Sequence, residues 1–127
     1  MNSPRQFYTL VVDDEPGIRE MIAIMLGLHG HVVTTAFDGK MALALATAAS
    51  FDLVITDVVM PEKDGLEFIR ELRTKSPRTR IVAMSAGGHM AAMDYLKMAK
   101  HFGARAVLHK PFDKQMLLAA VATALAD

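Results

Sequence analysis

Asp13-Asp14, Asp57, Ser85 and Lys110-Pro111 each fall where a short apolar run stops. Gathered at one rim, three carboxylates, a hydroxyl and an ammonium would make a site for a divalent cation and a phosphoryl group. A carboxylate such as Asp57 can attack phosphorus in line and form an acyl phosphate. Placing Asp13 or Asp14 beside it is costly, since two like charges ~4 Å apart repel by about 4 kcal/mol at an effective dielectric of 20. A hard divalent cation removes that cost, and magnesium commonly binds one or two carboxylates together with phosphate oxygens. Lys110 would set a mobile point charge against the phosphoryl oxygens. Taken singly, Asp57 reads as a turn aspartate, Asp13 and Asp14 as helix caps, Ser85 as a loop-starting serine and Lys110 as a surface lysine. It is the recurrence at four strand ends that favours the chemical reading.

The runs that must position these groups are Phe7 to Val12, Leu53 to Thr56, Ile81 to Met84 and Ala106 to Leu108. Each has the length and apolar continuity of a buried parallel strand. In open α/β sheets, ligands bind outside the carboxyl ends of the strands, near the point where strand order reverses. Asp13-Asp14-Glu15-Pro16 supplies a capping acid and a proline for a first turn, and Ile18, Met21, Ile22 and Met25 follow helical spacing up to Gly27 to Gly30. His31 to Thr35 is a β-branched second strand, followed by Asp38-Gly39 and an alanine-rich helix through Ala49. Pro61 and Asp64-Gly65 mark a turn in the loop from Val58 to Gly65, before a helix carrying Leu66, Ile69 and Leu72 on one face. A further helix ends at Gly103, and Leu117, Ala120, Val121, Ala124 and Leu125 stripe the last one. Five strands alternating with five helices predict a parallel sheet with right-handed crossovers.

The chain has 127 residues, enough for one domain. Its 14 basic and 14 acidic residues give a formal net charge of zero, which argues against a direct nucleic-acid binder. There is no cysteine, so disulfides and thiolate sites are excluded. The start has no apolar export core, and no apolar run approaches the ~20 residues needed to span a bilayer, so a cytoplasmic protein with no membrane association is expected. Histidines 29, 31, 89, 101 and 109 show no paired metal spacing and are expected at the surface or an interface. No Gly-x-x-x-x-Gly-Lys-Ser/Thr signature occurs, which argues against an ATP-driven kinase.

From Val11-Val12-Asp13-Asp14-Glu15 through Asp57-Val58-Val59-Met60-Pro61-Glu62-Lys63-Asp64-Gly65 to Gly103-Ala104 and Lys110-Pro111-Phe112, the chain resembles the receiver domains of two-component response regulators. The resemblance implies a flavodoxin-like (βα)5 three-layer sandwich with strand order 2-1-3-4-5, and a single receiver domain over residues 1–127 without an output domain. It implies Asp57 as phosphoacceptor and Mg2+ held by Asp14, Asp57 and the backbone carbonyl of Val59, with Asp13 acting through water. It also implies Ser85 as a switch hydroxyl, the Ala86 amide as a further phosphoryl contact, and a cis bond between Lys110 and Pro111. The implied partners are a sensor histidine kinase or a histidine phosphotransfer protein and a downstream protein target, with the chain a monomer or weak dimer. Phosphorylation adds about two charges and three acceptor oxygens, so the fourth helix, fifth strand and last helix become the responsive face. Met90, Met93, Tyr95, Met98 and His101 sit on or near it.

Three departures stand out. Val107 occupies the position where the family usually carries a tyrosine or phenylalanine that swings inward with the switch hydroxyl, and Tyr95 and Phe102 are the candidate substitutes. Gly87-Gly88 begins a longer than usual connection and predicts a mobile loop before the fourth helix. Val59 offers no group to orient an attacking water, whereas Gly87 leaves the path open. Against the switch stand two rivals. A Mg2+-dependent aspartyl phosphatase of the haloacid dehalogenase kind would want an acid where Val59 stands. A pseudo-receiver would bind partners without phosphorylation.

Overall fold

Each strand alternates its side chains between two faces, and the helices that follow cover both. The computed structural model describes residues 6–58, 65–86 and 90–126, and for 90–94 the backbone alone. Along it run β1 (Phe7–Val12), α1 (Pro16–Gly27), β2 (His31–Ala36), α2 (Gly39–Ala48) and β3 (Leu53–Asp57). They are followed by α3 (Gly65–Lys75), β4 (Arg80–Ala86), α4 (Met90–His101), β5 (Ala106–Lys110) and α5 (Lys114–Leu125). All neighbouring strands pair in parallel, in the order β2-β1-β3-β4-β5 that the resemblance implied.

Period-two alternation divides the core into two halves. Leu10, Val12, Val54, Ile81 and Ala83 face α2, α3 and α4, where Phe68, Ile69, Leu72, Leu96 and Ala99 close over them. Val11, Leu53, Ile55, Val82 and Met84 face the other way, against Ile22 and Leu26 of α1 and Leu117, Val121 and Ala124 of α5. Helices on both sides make the strands nearly continuous in apolarity. The order reverses between β1 and β3, whose carboxyl ends carry Asp13 and Asp57.

Three local expectations change. No side chain caps α1: Glu15 stands at the N-cap without a capping bond, and Asp13 turns back to accept the Glu15 N–H at 2.9 Å. Pro16 holds the first turn as expected, while the side-chain capping appears at α2 and α5, where Asp38 and Asp113 accept the amides of Met41 and Met116. The strands β3, β4 and β5 also run farther than their apolar runs, so that Asp57, Ser85 and Lys110 lie inside pairing rather than in loops. The expected loop over Gly87-Gly88 lies outside the described residues, as do Val59, Pro61, Asp64 and His89.

His31 is the third change. His29, His101 and His109 are exposed, but His31 is buried at the start of β2 and shares a 2.7 Å hydrogen bond between its Nδ1 and the Thr9 hydroxyl. Its ring also lies 5.3 Å from that of Phe7. Burial lowers its pKa most, the neighbouring His29 adds to the lowering, and Asp52 only partly opposes them. The folded protein therefore holds His31 neutral where the unfolded chain, with an ordinary value of 6.5, begins to bind a proton. Stability is complete above that value and falls as the pH drops below it. Urea midpoints measured at pH 7.5 and pH 5.5 should show this loss, and His31→Asn should flatten it; an equal loss in the variant would assign it elsewhere.

Two glycines are required by contact. Gly103 ends α4 with φ +119°, and a Cβ there would lie 2.9 Å from the Arg73 side chain. Gly65, expected as a turn residue, instead opens α3 with its amide bonded to Val58 O, and a Cβ would lie 2.2 Å from the backbone oxygen of Asp57. At Gly65 the obstructing atoms are backbone rather than the end of a flexible side chain, so β3 or α3 must move. Gly65→Ala should cost about 1–3 kcal/mol in chemical denaturation; an unchanged midpoint would mean that the close approach relaxes freely.

Candidate functional site

The carboxyl ends of β1, β3, β4 and β5 converge at the reversal of strand order, which brings residues up to 97 positions apart into contact. Asp13 is fully buried just past β1, and Asp57 is buried at the end of β3. Asp14, one residue on, is exposed. One carboxylate oxygen from each of Asp13, Asp14 and Asp57 lies within 4.8 Å of the others, forming an acidic cluster able to hold a metal ion.

Lys110 enters this cluster from β5. Its Nζ donates to Asp13 Oδ2 at 2.6 Å and to Asp57 Oδ2 at 2.8 Å, and stands 3.9 Å from Glu15 Oε1. Burial is the largest influence on the ammonium and pushes its pKa down, yet the hydrogen bonds and charges of Asp13 and Asp57 together outweigh it. The net shift is upward, so Lys110 stays charged at physiological pH. The Lys110-Pro111 bond is cis, as the resemblance implied. Three carboxylates and one ammonium leave two negative charges on the cluster. That balance, an all-oxygen donor set and one exposed member fit a hard divalent cation.

Asp13 is tied closely to the protein's own donors. Both oxygens of Asp13 accept protein hydrogen bonds, Oδ1 from the Glu15 amide and Oδ2 from Lys110. Arg19 further fixes the turn by donating to the Asp13 backbone oxygen at 2.7 Å. Sequence reasoning missed Arg19, whose only signal was a cation one helical turn into α1. Glu15 is an exposed N-cap at the edge of the site.

Ser85 lies beside the cluster in β4, adjacent to His109 of β5 in register and one residue beyond Met84, the partner of Asp57. It is buried at 2% exposure, and its hydroxyl has one long contact, 3.5 Å to Ala86 O. Such a distance is at the limit of a hydrogen bond and holds the hydroxyl weakly. Ala86 ends β4 and is exposed. Val107 is half-buried in β5 and packs on the α2, α3 and α4 side, where Phe102 also lies, while Tyr95 is exposed on α4. Met98 and His101 are exposed on the same helix, whose buried positions among the described side chains are Leu96 and Ala99; the side chains of Met90 and Met93 lie outside the described residues.

Comparison with known proteins agrees with this geometry. The response regulator receiver domain family matches residues 9–122. The response regulator protein PilR of Pseudomonas aeruginosa is 36% identical over 91% of the chain, and sporulation initiation phosphotransferase F of Bacillus subtilis is 32% identical over 82%. The chain spans 25% of PilR and 82% of the sporulation protein. Across the larger relatives it matches, it spans about a quarter to a third of their length. Among solved structures, the chemotaxis response regulator CheY4 of Vibrio cholerae superimposes with a TM-score of 0.86 at 34% identity, covering 95% of this chain and all of that one. No helix among the described residues is long and apolar enough to cross a membrane.

Proposed function

The chain belongs to the response regulator receiver family, and from that premise we propose that it is a phosphorylation-dependent switch whose acceptor is Asp57. The observation that carries this reading is the junction of Lys110, Asp13 and Asp57 at 2.6 and 2.8 Å, with Asp14 alongside. In it a buried carboxylate at the end of a central strand has a cation directly against one oxygen. Attack by Asp57 on a phosphohistidine forms the carboxylate oxygen–phosphorus bond as the nitrogen–phosphorus bond breaks, and the imidazole leaves with the electron pair. Lys110, already touching Asp57, would steady the charge on the transferred oxygens.

Asp14 and Asp57, with the backbone carbonyl of Val59 carried over from the family, would hold Mg2+; Val59 lies outside the described residues. Asp13, whose oxygens are both engaged by protein donors, suits a supporting role through water. Bound there, the ion supplies charge neutralisation at the phosphoryl oxygens. The weakly held Ser85 hydroxyl is free to turn toward a phosphoryl group, and the Ala86 amide adds a second contact. Valine at 107 has no ring to swing, so the change reaches α4, β5 and α5 through β4, which pairs with β5. We assign the sensor histidine kinase or histidine phosphotransfer protein as donor, and a downstream protein as the reader of the altered face.

The test is incubation with acetyl phosphate, followed by intact-mass measurement. One labile phosphoryl group should appear with magnesium and not with EDTA; no gain from either acetyl phosphate or a phosphohistidine donor would overturn the reading. Ser85→Ala should accept the group to the same stoichiometry, yet lose the amide shifts in α4 and β5 that follow acceptance in the wild type. Shifts of equal size in the variant would remove Ser85 from the switch.

A further inference from the structure

At the opposite pole, beyond the amino ends of the strands, lies a cavity of about 450 Å³ whose lining includes Arg73, Arg78, Arg80 and Arg105 with Thr79 and Gly103. No carboxylate belongs to that lining among the described residues. The chain as a whole is electrically balanced, so this concentration of cations is local. It has a topological origin: Arg73 is in the last turn of α3, Arg78 in the turn that follows, Arg80 opens β4, and Arg105 immediately precedes β5.

Three of the four guanidinium groups are anchored by carbonyls. Arg73 Nη1 donates to Pro77 O at 2.7 Å, Arg80 Nη1 to Leu125 O at 3.0 Å, and Arg105 Nη1 to Ala126 O at 2.6 Å. Arg80 and Arg105 also converge on one acceptor, Ala124 O, at 3.4 and 3.2 Å. Their Nη1 atoms are therefore no farther apart than those two bonds laid end to end. Capping the last carbonyls of α5 explains why an arginine stands there. It does not explain four cations around one cavity, since a guanidinium has five N–H donors and the anchors of Arg73 and Arg105 use one nitrogen of each. The stem of Arg73 lies against Gly103, where no β-carbon fits, so this arm of the cradle is also held by packing.

Anchored, planar, like-charged forks suit an anion that can accept several paired hydrogen bonds at once. A volume in the range of small-ligand sites accommodates more than an isolated ion. We propose that this arginine cradle binds an anion carrying two adjacent phosphoryl groups, either free diphosphate or the diphosphate of a nucleotide. A neighbouring cavity of about 740 Å³ shares Arg78, Thr79 and Arg80 and adds Lys75, Phe51 and one carboxylate, Asp52; it offers room for the uncharged organic part in the second case, with the phosphoryl groups kept on the carboxylate-free side.

Calorimetric titration of the full chain in EDTA, with diphosphate, ADP and orthophosphate as probes, tests the proposal without engaging metal at the acidic cluster. Diphosphate should bind with unit stoichiometry and more tightly than orthophosphate. Arg78→Gln and Arg73→Gln should each weaken it at least tenfold, whereas Lys40→Gln, at the start of α2, should leave it unchanged. Arg105→Lys keeps the charge but loses the fork, and should weaken binding several-fold at an unaltered urea midpoint. Tighter binding of ADP than of diphosphate would support the nucleotide source, and equal binding the free anion. Absence of saturable binding, or binding unmoved by both glutamine variants, would overturn the site.

Discussion

Asp57→Asn should abolish phosphoryl acceptance altogether, with no mass gain under conditions that modify the wild type to completion. The amide keeps the shape of the side chain but lacks the anionic oxygen that would bond to phosphorus. Because the substitution removes one of three clustered carboxylates, the domain should remain folded, with a urea midpoint equal to or above that of the wild type. Magnesium affinity should fall as well, readable by titration. This combination separates the switch from its rivals. If the variant still gains one labile group, another residue is the acceptor and the assignment fails. Unchanged biological output from an unmodifiable Asp57→Asn protein would identify a pseudo-receiver, and turnover of small phosphoesters by the wild type would revive the phosphatase.

The four apolar runs and the β-branched stretch His31 to Thr35 were sufficient to place all five strands, because buried parallel strands need continuous apolarity and each here is bounded by polar residues; their order came from the family resemblance. They underestimated strand length at the site for a related reason. Asp57, Ser85 and Lys110 are polar, so pattern ends them outside the strand, while backbone pairing with the neighbouring strands continues through them. His31 was misplaced because a titratable side chain reads as surface until its partner is seen, and Thr9 is 22 residues away. Gly65 carried an ordinary turn signal in the sequence; only the fold reveals that a backbone oxygen occupies the place of its Cβ. The arginine pole was invisible for the converse reason. Its four members are separated by helices and strands, so their sequence contains no charge run, and they meet only through the parallel topology. The site residues were easier to read because each sits at the same end of its strand, a regularity that sequence order preserves.

Lys110→Met should destabilise the metal-free protein by about 3–5 kcal/mol, the cost of leaving buried charge without its partner. Methionine retains the length and most of the apolar stem, so packing changes little and the lost ammonium dominates. Asp13 is fully buried, and the Asp57 side chain is 8% exposed, so water in the metal-free protein replaces the two hydrogen bonds donated by Nζ only poorly. The repulsion that Lys110 now offsets would act directly between the two carboxylates. Two further measurements distinguish this from a packing defect. Magnesium should recover part of the loss, since an ion that binds only the folded state stabilises by about 2.7 kcal/mol at one hundred times its dissociation constant. Asp13→Asn combined with Lys110→Met should be more stable than the sum of the single effects implies, because removing one acid relieves the strain that removing the base creates. A magnesium-insensitive loss, additive with Asp13→Asn, would show that Lys110 supports the fold through its stem alone and that the electrostatic account of the cluster is wrong.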